Sequence, residues 1–217
     1  MRVYIGFDDT DVLGSLIGTG KLARRYAQRL PTECTVWGVV RQQLLVNPAI
    51  PYTSHNSSAC VIVDCPDASF EEFLKHTAAA HIEAMSLIGS DPGLCVVCEG
   101  DPSLPALESF GFLCTKKIVS QQGALQAAGS AHLSGHGGTN DGIIGAAAVG
   151  LTASGWSGRF IEYADLRSFS NPVSVGELHQ RGIHVISMDR DACVPNPGDI
   201  VDTKDWLRPR LWGHRAV

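Results

Sequence analysis

Apolar and polar positions follow two different periods along this chain, and each period predicts a different kind of element. Short, almost continuous apolar runs rich in β-branched residues are typical of buried strands. Such runs predict strands at residues 2–7, 36–46, 58–63, 94–98, 159–164 and 184–188. Apolar residues at helical spacing predict helices at residues 21–30, 69–85, 104–110, 115–128, 143–151 and 174–180.

Two of the helices carry a recognisable start. Ser69 is followed three residues later by Glu72, and Ser174 by Glu177, which is the spacing of a capping box. Gly182 follows the second of these helices and predicts its end. Strands and helices mixed in this way predict an α/β fold with α+β character.

The composition is that of an ordinary globular protein. Hydrophobic residues make up 44% of the 217 residues and charged residues 18%, which excludes a disordered chain or a coiled coil. The net charge of -5 at pH 7 argues against a surface that holds long stretches of nucleic acid. No apolar stretch reaches the ~18–20 residues of a membrane span, and the N-terminus carries no secretory signal. We therefore expect a cytoplasmic protein without a membrane partner.

The seven cysteines are predicted to be reduced thiols, because most of them lie in apolar runs and serve there as small core residues. Cys95 and Cys98 form a single Cys-x-x-Cys pair. Strand alternation would point their sulfur atoms to opposite faces, so a zinc site is not expected.

Candidate chemistry begins at the end of the first predicted strand, where Asp8, Asp9, Thr10 and Asp11 follow one another. Three carboxylates in four positions repel one another unless a cation offsets their charge. Mg²⁺ prefers oxygen ligands and keeps several waters, so one or two of these carboxylates with phosphate oxygens would complete its coordination. The alternative is a solvated turn whose aspartate caps the next helix.

Gly18, Thr19 and Gly20 open the first predicted helix, with Lys21 directly after them. Free N–H groups and the positive end of the helix dipole attract anions at such a place, so Thr19 is expected to face phosphates. A plain N-cap threonine between two turn glycines explains the same residues.

A glycine-dense loop at residues 134–142 is the most unusual stretch of the sequence. Its glycines have a large entropic cost, which predicts that a ligand comes close to the backbone. We expect a nest of N–H groups around a triphosphate, formed by Gly137, Gly138, Asn140, Asp141 and Gly142. A long turn with several left-handed residues is the alternative.

Other polar residues are weaker candidates. His55 and His136 lie in loops and could assist proton transfer, although a lone loop histidine is more often a surface residue. Arg41 could contact phosphate or simply end a strand. Aromatic and basic residues alternate at positions 206–215, as in a base-stacking surface or in an amphipathic edge segment.

Several segments, in this order along the chain, resemble the archaeal 2-agmatinylcytidine synthetase family that modifies a minor isoleucine tRNA. They are Ile5 to Asp11 followed by Thr19, the region 41–56 with its Val-Asn-Pro-x-Ile-Pro-Tyr core, Asp91-Pro92-Gly93, and Gly142 to Gly150. The resemblance implies a kinase-like ATP-binding domain at residues 1–158 and part of a ferredoxin-like domain, packed on it, at residues 159–217.

In that family ATP activates a cytidine carbonyl by phosphorylation, agmatine displaces the phosphate, and a threonine after the aspartate motif is phosphorylated. The resemblance implies ATP and Mg²⁺ as cofactors, with Asp8, Asp9 and Asp11 around the metal and Gly142 to Gly145 near the nucleotide. Thr19 is the hydroxyl nearest to the family's phosphorylated threonine. The family's tRNA-gripping OB-fold and zinc ribbon have no counterpart in these 217 residues.

The sequence therefore predicts an ATP- and Mg²⁺-dependent phosphoryl-transfer enzyme of kinase or ligase type. Its acceptor is expected to be a small molecule or nucleoside, because charge and domain content do not support tRNA, and a homo-oligomer is compatible with the sequence. Two other classes stay open at this point. One is a phosphohydrolase of the haloacid-dehalogenase type, which Leu13 disfavours because that motif places Thr or Val there. The other is a non-enzymatic nucleotide- or RNA-binding module that acts with a partner protein.

Overall fold

A six-stranded sheet organises the molecule, of which the computed structural model describes residues 1–217. Its strands run in the order β5-β4-β1-β3-β2-β6, and each neighbouring pair is antiparallel. The strands are β1 (Arg2–Asp8), β2 (Thr35–Gln43), β3 (Ser57–Asp64), β4 (Gly93–Cys98), β5 (His132–Gly135), β6 (Arg159–Glu162), β7 (Val173–Ser174), β8 (Ile200–Val201), β9 (Leu211–Trp212) and β10 (Arg215–Ala216). The helices are α1 (Thr19–Ala27), α2 (Phe70–Met85), α3 (Leu104–Cys114), α4 (Gln121–Ala128), α5 (Gly142–Ala147), α6 (Val149–Ala153) and α7 (Val175–Gln180). The predicted mixed α/β fold is confirmed.

Helices cover both faces of the sheet, so the central strand β1 is buried on both sides. Val3, Ile5 and Phe7 point into one core cluster, which they share with residues of α1 and α2. Tyr4 points into the other cluster, which α3 to α6 complete. Side chains of a strand alternate between faces, which is why the residues of β1 divide in this way.

Helix α5 lies directly on the backbone of β1 and β4. A Cβ atom on Gly93 would overlap the main chain of Gly142, and one on Gly6 would overlap the carbonyl of Ala146. Small residues at these crossings let the start of α5 approach the end of β1. This contact brings the residues after 141 to the acidic turn.

The C-terminal part, residues 159–217, first adds strand β6 to the six-stranded sheet, and the chain after β6 has little regular structure. β6 pairs with β2, and Trp37 of β2 packs edge-on against Phe160 and Tyr163. Two small two-stranded pieces, β7 with β8 and β9 with β10, follow. The division into domains at residues 158 and 159 stays a prediction.

The structure tests several of the predicted elements and helix caps. The helix predicted at residues 115–128 begins only at Gln121, because the Ser120 side chain caps it by accepting from the amide of Gly123. The strand predicted at residues 184–188 is wrong, since the sheet contact there ends at the bridge between Ile183 and Ala216. Ser174 caps α7 by accepting from the amide of Glu177, as expected.

Ser69 does not cap α2, because its hydroxyl donates to Asp67 instead. All seven cysteines are free thiols, as expected, and all but Cys193 are buried. None of the helices combines the length and the apolar character needed to cross a membrane.

Candidate functional site

The acidic turn that follows β1 forms one wall of a cavity of about 250 Å³. Asp8 lies against α5, so close that a Cβ atom on Gly145 would overlap its carboxylate. Asp9 adopts a left-handed backbone, with φ at 50°, which redirects the chain immediately after the strand. Asp11 also faces the cavity and accepts a hydrogen bond from the hydroxyl of Thr53 at 3.4 Å.

These carboxylates lack a basic partner, since none of the ion pairs in the structure includes Asp8, Asp9 or Asp11. Burial, reinforced by the charge of Asp9, raises the pKa of Asp8 well above its usual value. Burial, with the nearby charges of Asp91, Asp11 and Asp141, raises the pKa of Asp9 to about 6. Burial also raises the pKa of Asp11. Ionisation of these three carboxylates therefore costs free energy, and a bound cation would offset that cost.

The carboxylates do not form a complete metal cage by themselves. No three side chains of the types His, Cys, Asp and Glu converge closely enough to hold a metal ion. The donors at this wall are nevertheless oxygen atoms, and Mg²⁺ usually takes only one or two carboxylates and completes its shell with water and substrate phosphates. The residues present therefore fit a magnesium ion that arrives with a phosphate ligand.

Thr19 stands at the boundary of this wall, at the first turn of α1. Its side-chain oxygen accepts a hydrogen bond from the hydroxyl of Thr10 at 3.1 Å and from the amide of Thr10 at 3.4 Å. Its own hydroxyl proton has no acceptor in the protein. Thr10 is buried and thus fixes the position of the Thr19 hydroxyl at the edge of the cavity.

An apolar wall also lines this cavity. It comes from the connection between β2 and β3, the segment between α3 and α4, and the start of α5, and its residues are Leu44, Ala49, Ile50, Pro51, Tyr52, Ile118, Val119 and Ile144. Apolar walls with a few polar groups at one end are typical of small-molecule sites. The cavity therefore offers apolar surface to an aromatic or aliphatic group and carboxylates to a cation.

A second cavity, of about 300 Å³, adjoins the first and is basic. The two cavities share Asp11, Thr19, Thr53, His55 and Ser57. The cationic residues of the second cavity are Lys21 and Arg24 of α1, Arg41 of β2, and Arg167. Burial, together with the charge of Arg159, lowers the pKa of Arg41.

One carboxylate holds two of these arginines in place. Glu162, the last residue of β6, accepts from Arg24 at 2.9 Å and from Arg167 at 3.2 Å. Arg167 and Arg208 stack on the Trp206 ring, at 4.7 and 4.4 Å from its centroid. The C-terminal part of the chain thus contributes a cationic and aromatic rim to the second cavity.

The structure brings most of the predicted site residues together. Asp8, Asp9, Asp11, Thr19, Asp141 and Gly145 line the first cavity, while Gly18, Gly20 and Lys21 line the second.

The remaining glycine-loop residues lie outside both cavities. A Cβ atom on Gly138 would overlap the Asp91 carboxylate, and one on Gly142 the Asp91 carbonyl. Gly137 and Asn140 line neither cavity, and the Asn140 side chain lies over Gly135. Contact with residues 91–93 thus accounts for part of the glycine content, and a role of Gly137, Gly138, Asn140 and Gly142 in nucleotide binding stays a prediction.

Sequence reasoning missed several lining residues. Arg24 lies three positions after Lys21 on the same face of α1, a spacing that could have revealed it. The helix predicted at residues 115–128 includes Lys117 and Val119, whereas both lie in the connection between α3 and α4 and line the first cavity. Arg167 gave no signal, because only the return of the chain after β6 brings it to α1.

Comparison with solved structures finds proteins of the same fold. No family model matches the sequence, and no curated protein matches it either. A crystal structure of TiaS in complex with an isoleucine tRNA and ATP superposes with a TM-score of 0.58 and 28% identity, over 69% of this chain and 36% of that chain. A tRNA fluorescent labelling enzyme gives 0.57 and 26% over the same shares.

A third structure, TiaS with the same tRNA, AMPCPP and agmatine, extends the shared fold to 93% of this chain and 52% of that one, at 20% identity and a TM-score of 0.56. The chain therefore shares a mixed α/β fold with these proteins and spans about a third to a half of their length. These structures support the resemblance to the isoleucine-tRNA 2-agmatinylcytidine synthetase family in fold.

Proposed function

We propose that this protein is an ATP- and Mg²⁺-dependent enzyme of kinase or ligase type that transfers a phosphoryl group to a nucleoside acceptor, as in tRNA modification. The observation that carries the proposal is the adjoining pair of cavities, one with three unpaired carboxylates and one with four cationic side chains. The structures of TiaS with its tRNA and with ATP or AMPCPP support both the nucleotide and the acceptor class.

In this proposal the first cavity takes ATP. The apolar wall, including Ile50, Ile118 and Ile144, receives the base, and the phosphates lie toward the acidic turn. Asp8, Asp9 and Asp11 provide oxygen ligands for Mg²⁺, which supplies neutralisation of phosphate charge.

The residues of this chain then hold the phosphates in place. Thr19 offers a hydroxyl whose proton is free, and the start of α1 directs N–H groups at an anion. A fixed orientation of this kind removes much of the entropic barrier to transfer. Thr19 also lines both cavities, so its hydroxyl is in a position to accept a phosphoryl group.

The second cavity takes the acceptor. Its arginines and Lys21 can pair with phosphate groups that flank a nucleoside. The Trp206 ring, on which Arg167 and Arg208 stack, holds these cationic groups at the cavity. The overall charge of -5 argues against an extended nucleic-acid surface, so we expect a local contact. A tRNA is therefore held here at a few phosphates only, and a longer grip would need other modules.

Calorimetric titration with ATP, in the presence and absence of Mg²⁺, tests the proposal. Asp9→Asn and Asp11→Asn should each weaken Mg²⁺-dependent binding by about tenfold or more, since each removes a charged oxygen ligand. Asp191→Asn is the matched control, because the Asp191 carboxylate is exposed and outside both cavities. Equal ATP affinity of the wild type and both site variants would remove the acidic turn from the proposal.

A non-enzymatic nucleotide- or RNA-binding module is the second candidate. It is favoured by one observation, that no three His, Cys, Asp or Glu side chains converge closely enough to hold a metal ion by themselves. ATP turnover in the presence of tRNA and agmatine distinguishes the two. Stoichiometric binding of ATP without release of ADP, AMP or phosphate would identify the chain as a binding module.

A further inference from the structure

A hydrogen-bonded chain of four side chains connects the edge strand β5 with helix α2. The Ser134 hydroxyl lies 2.8 Å from Nε2 of His136, and Nδ1 of His136 lies 3.0 Å from the Glu83 carboxylate. On its other side, the Ser134 hydroxyl lies 2.9 Å from Nε2 of His132. A hydroxyl in reach of an imidazole whose other nitrogen meets a carboxylate is the arrangement that activates serine nucleophiles.

The contacts determine where each proton lies. Glu83 can only accept, so the neutral His136 ring carries its proton on Nδ1 and presents the Nε2 lone pair to Ser134. The Ser134 O–H therefore donates to His136. Since the single hydroxyl proton is then used, Nε2–H of His132 donates to the Ser134 oxygen. Burial, with the charge of Lys75, lowers the pKa of His132 and so favours the neutral form of that ring.

This cluster is separate from the two cavities. Ser134 pairs with Leu94, and Leu94 pairs with Phe7, so all three side chains point to the face that α1 and α2 cover. Asp8, the next residue after Phe7, points to the other face, against α5. The cluster therefore has no part in the proposed nucleotide chemistry.

We infer that Ser134, His136 and Glu83 form a second reactive site, in which Ser134 attacks the carbonyl carbon of small carboxylic esters. The Ser134 proton moves to Nε2 of His136 as the Oγ–C bond forms, and the leaving alcohol takes that proton as its C–O bond breaks. Water then gives a proton to His136 while its oxygen bonds the acyl carbon, and the Oγ–C bond breaks as Ser134 regains a proton. The products are a carboxylic acid and an alcohol.

A substrate reaches this cluster directly from solvent. None of the cluster residues lines either of the two cavities, and Ser134 is partly exposed on an edge strand. The amides of Gly137 and Gly138, in the turn after His136, have no acceptor within the protein, and in this inference they are the donors for an oxyanion. Glu83 is a positioning residue, because it acts through the His136 ring.

A fluorophosphonate probe tests the inference on the full chain, with peptide mass spectrometry to locate the label and p-nitrophenyl acetate as the ester. Label is expected on Ser134 and absent in Ser134→Ala. His136→Gln should slow both labelling and ester hydrolysis by about a hundredfold or more, since general-base catalysis typically contributes ~10²–10⁴-fold. Ser109→Ala, on α3, is the matched control and should label like the wild type.

A spectroscopic measurement distinguishes positioning by Glu83 from a purely structural ion pair. The ¹⁵N spectrum of His136 should show the Nδ1–H form in the wild type and lose it in Glu83→Ala, with labelling slowed in parallel. Thermal unfolding of each variant confirms that it is folded. Absence of label at Ser134, or an equal labelling rate in folded His136→Gln, would overturn the inference.

Discussion

The carboxylate of Asp8 occupies the space that a side chain on Gly145 would need. Gly145→Ala should therefore push the Asp8 carboxylate away from α5 and out of its position in the first cavity. We expect Mg²⁺-dependent ATP affinity to fall by about tenfold, because a metal site depends on how its ligands are oriented. Calorimetric titration of the variant measures this.

Gly198→Ala serves as the control for that variant. A Cβ atom on Gly198 meets nothing within 4 Å, and its backbone is not left-handed. Its affinity for ATP should equal that of the wild type. If Gly145→Ala also binds as the wild type does, Asp8 does not contribute to the nucleotide site.

A second prediction concerns the charge of the basic cavity. Glu162 pairs with Arg24 and Arg167, so Glu162→Gln should leave both arginines free for phosphate and raise the affinity for tRNA. Arg167→Ala should lower the affinity and reduce its dependence on salt, since each neutralised phosphate contributes to that dependence. Fluorescence anisotropy at several salt concentrations measures both. Equal salt slopes for Arg167→Ala and the wild type would place the acceptor elsewhere.

The pH dependence of stability gives a third prediction, at His81 between α1 and α2. Its Nε2 bonds the Leu22 carbonyl, Nδ1 lies 3.3 Å from Arg29, and the rings of Phe7 and Tyr26 pack around it. Burial lowers the pKa of His81, with the charges of Arg29 and Arg25 adding to this, against the opposing hydrogen bond to Leu22.

The unfolded chain then binds the His81 proton more readily than the folded chain does. The contribution of neutral His81 to the free energy of unfolding is therefore fully present above about pH 6.5, the pKa of a histidine in the unfolded chain. It is lost as the pH falls below that value. Denaturant unfolding between pH 7.5 and 5 should show this loss in the wild type and a smaller one in His81→Gln. The His76→Gln variant, on the same helix, is the control and should keep the wild-type slope. Identical profiles for His81→Gln and the wild type would contradict the prediction.

The contact of α6 with α3 gives the fourth prediction. A Cβ atom on Gly150 would overlap the main chain of Leu107 and Glu108, which cannot move as a side chain can. Gly150→Ala should lower the free energy of unfolding by about 1–3 kcal/mol, the usual cost of overpacking. Gly123→Ala, on α4, meets its nearest atom at 3.4 Å and should lower it less. Urea denaturation compares the two, and an equal effect would mean that α6 shifts freely.

Much of the sheet could be predicted from the sequence because its strands are locally distinctive. The runs at 58–63 and 94–98 are buried on both faces and, apart from Ser58, apolar. Ser174 was recognised as a cap for the same local reason. The strand at 184–188 was wrong because strand formation depends on a neighbouring strand, which a local pattern cannot supply.

The site was predictable only where its residues are adjacent in the chain. Asp8, Asp9 and Asp11 stand together, and their crowding signals a function on its own. Arg24 and Arg167 both bind Glu162, although Arg24 lies 138 positions before it in the sequence. No local pattern predicts such a contact. The link between Ser134 and Glu83 is likewise a product of the packing of α2 on β5.

The two cavities adjoin and have five lining residues in common. Asp11, Thr19 and Thr53 line both the cavity suited to a donor and the cavity suited to an acceptor. Two reactants bound in these cavities would be neighbours from the start. A transfer between them would not require distant parts of the molecule to come together.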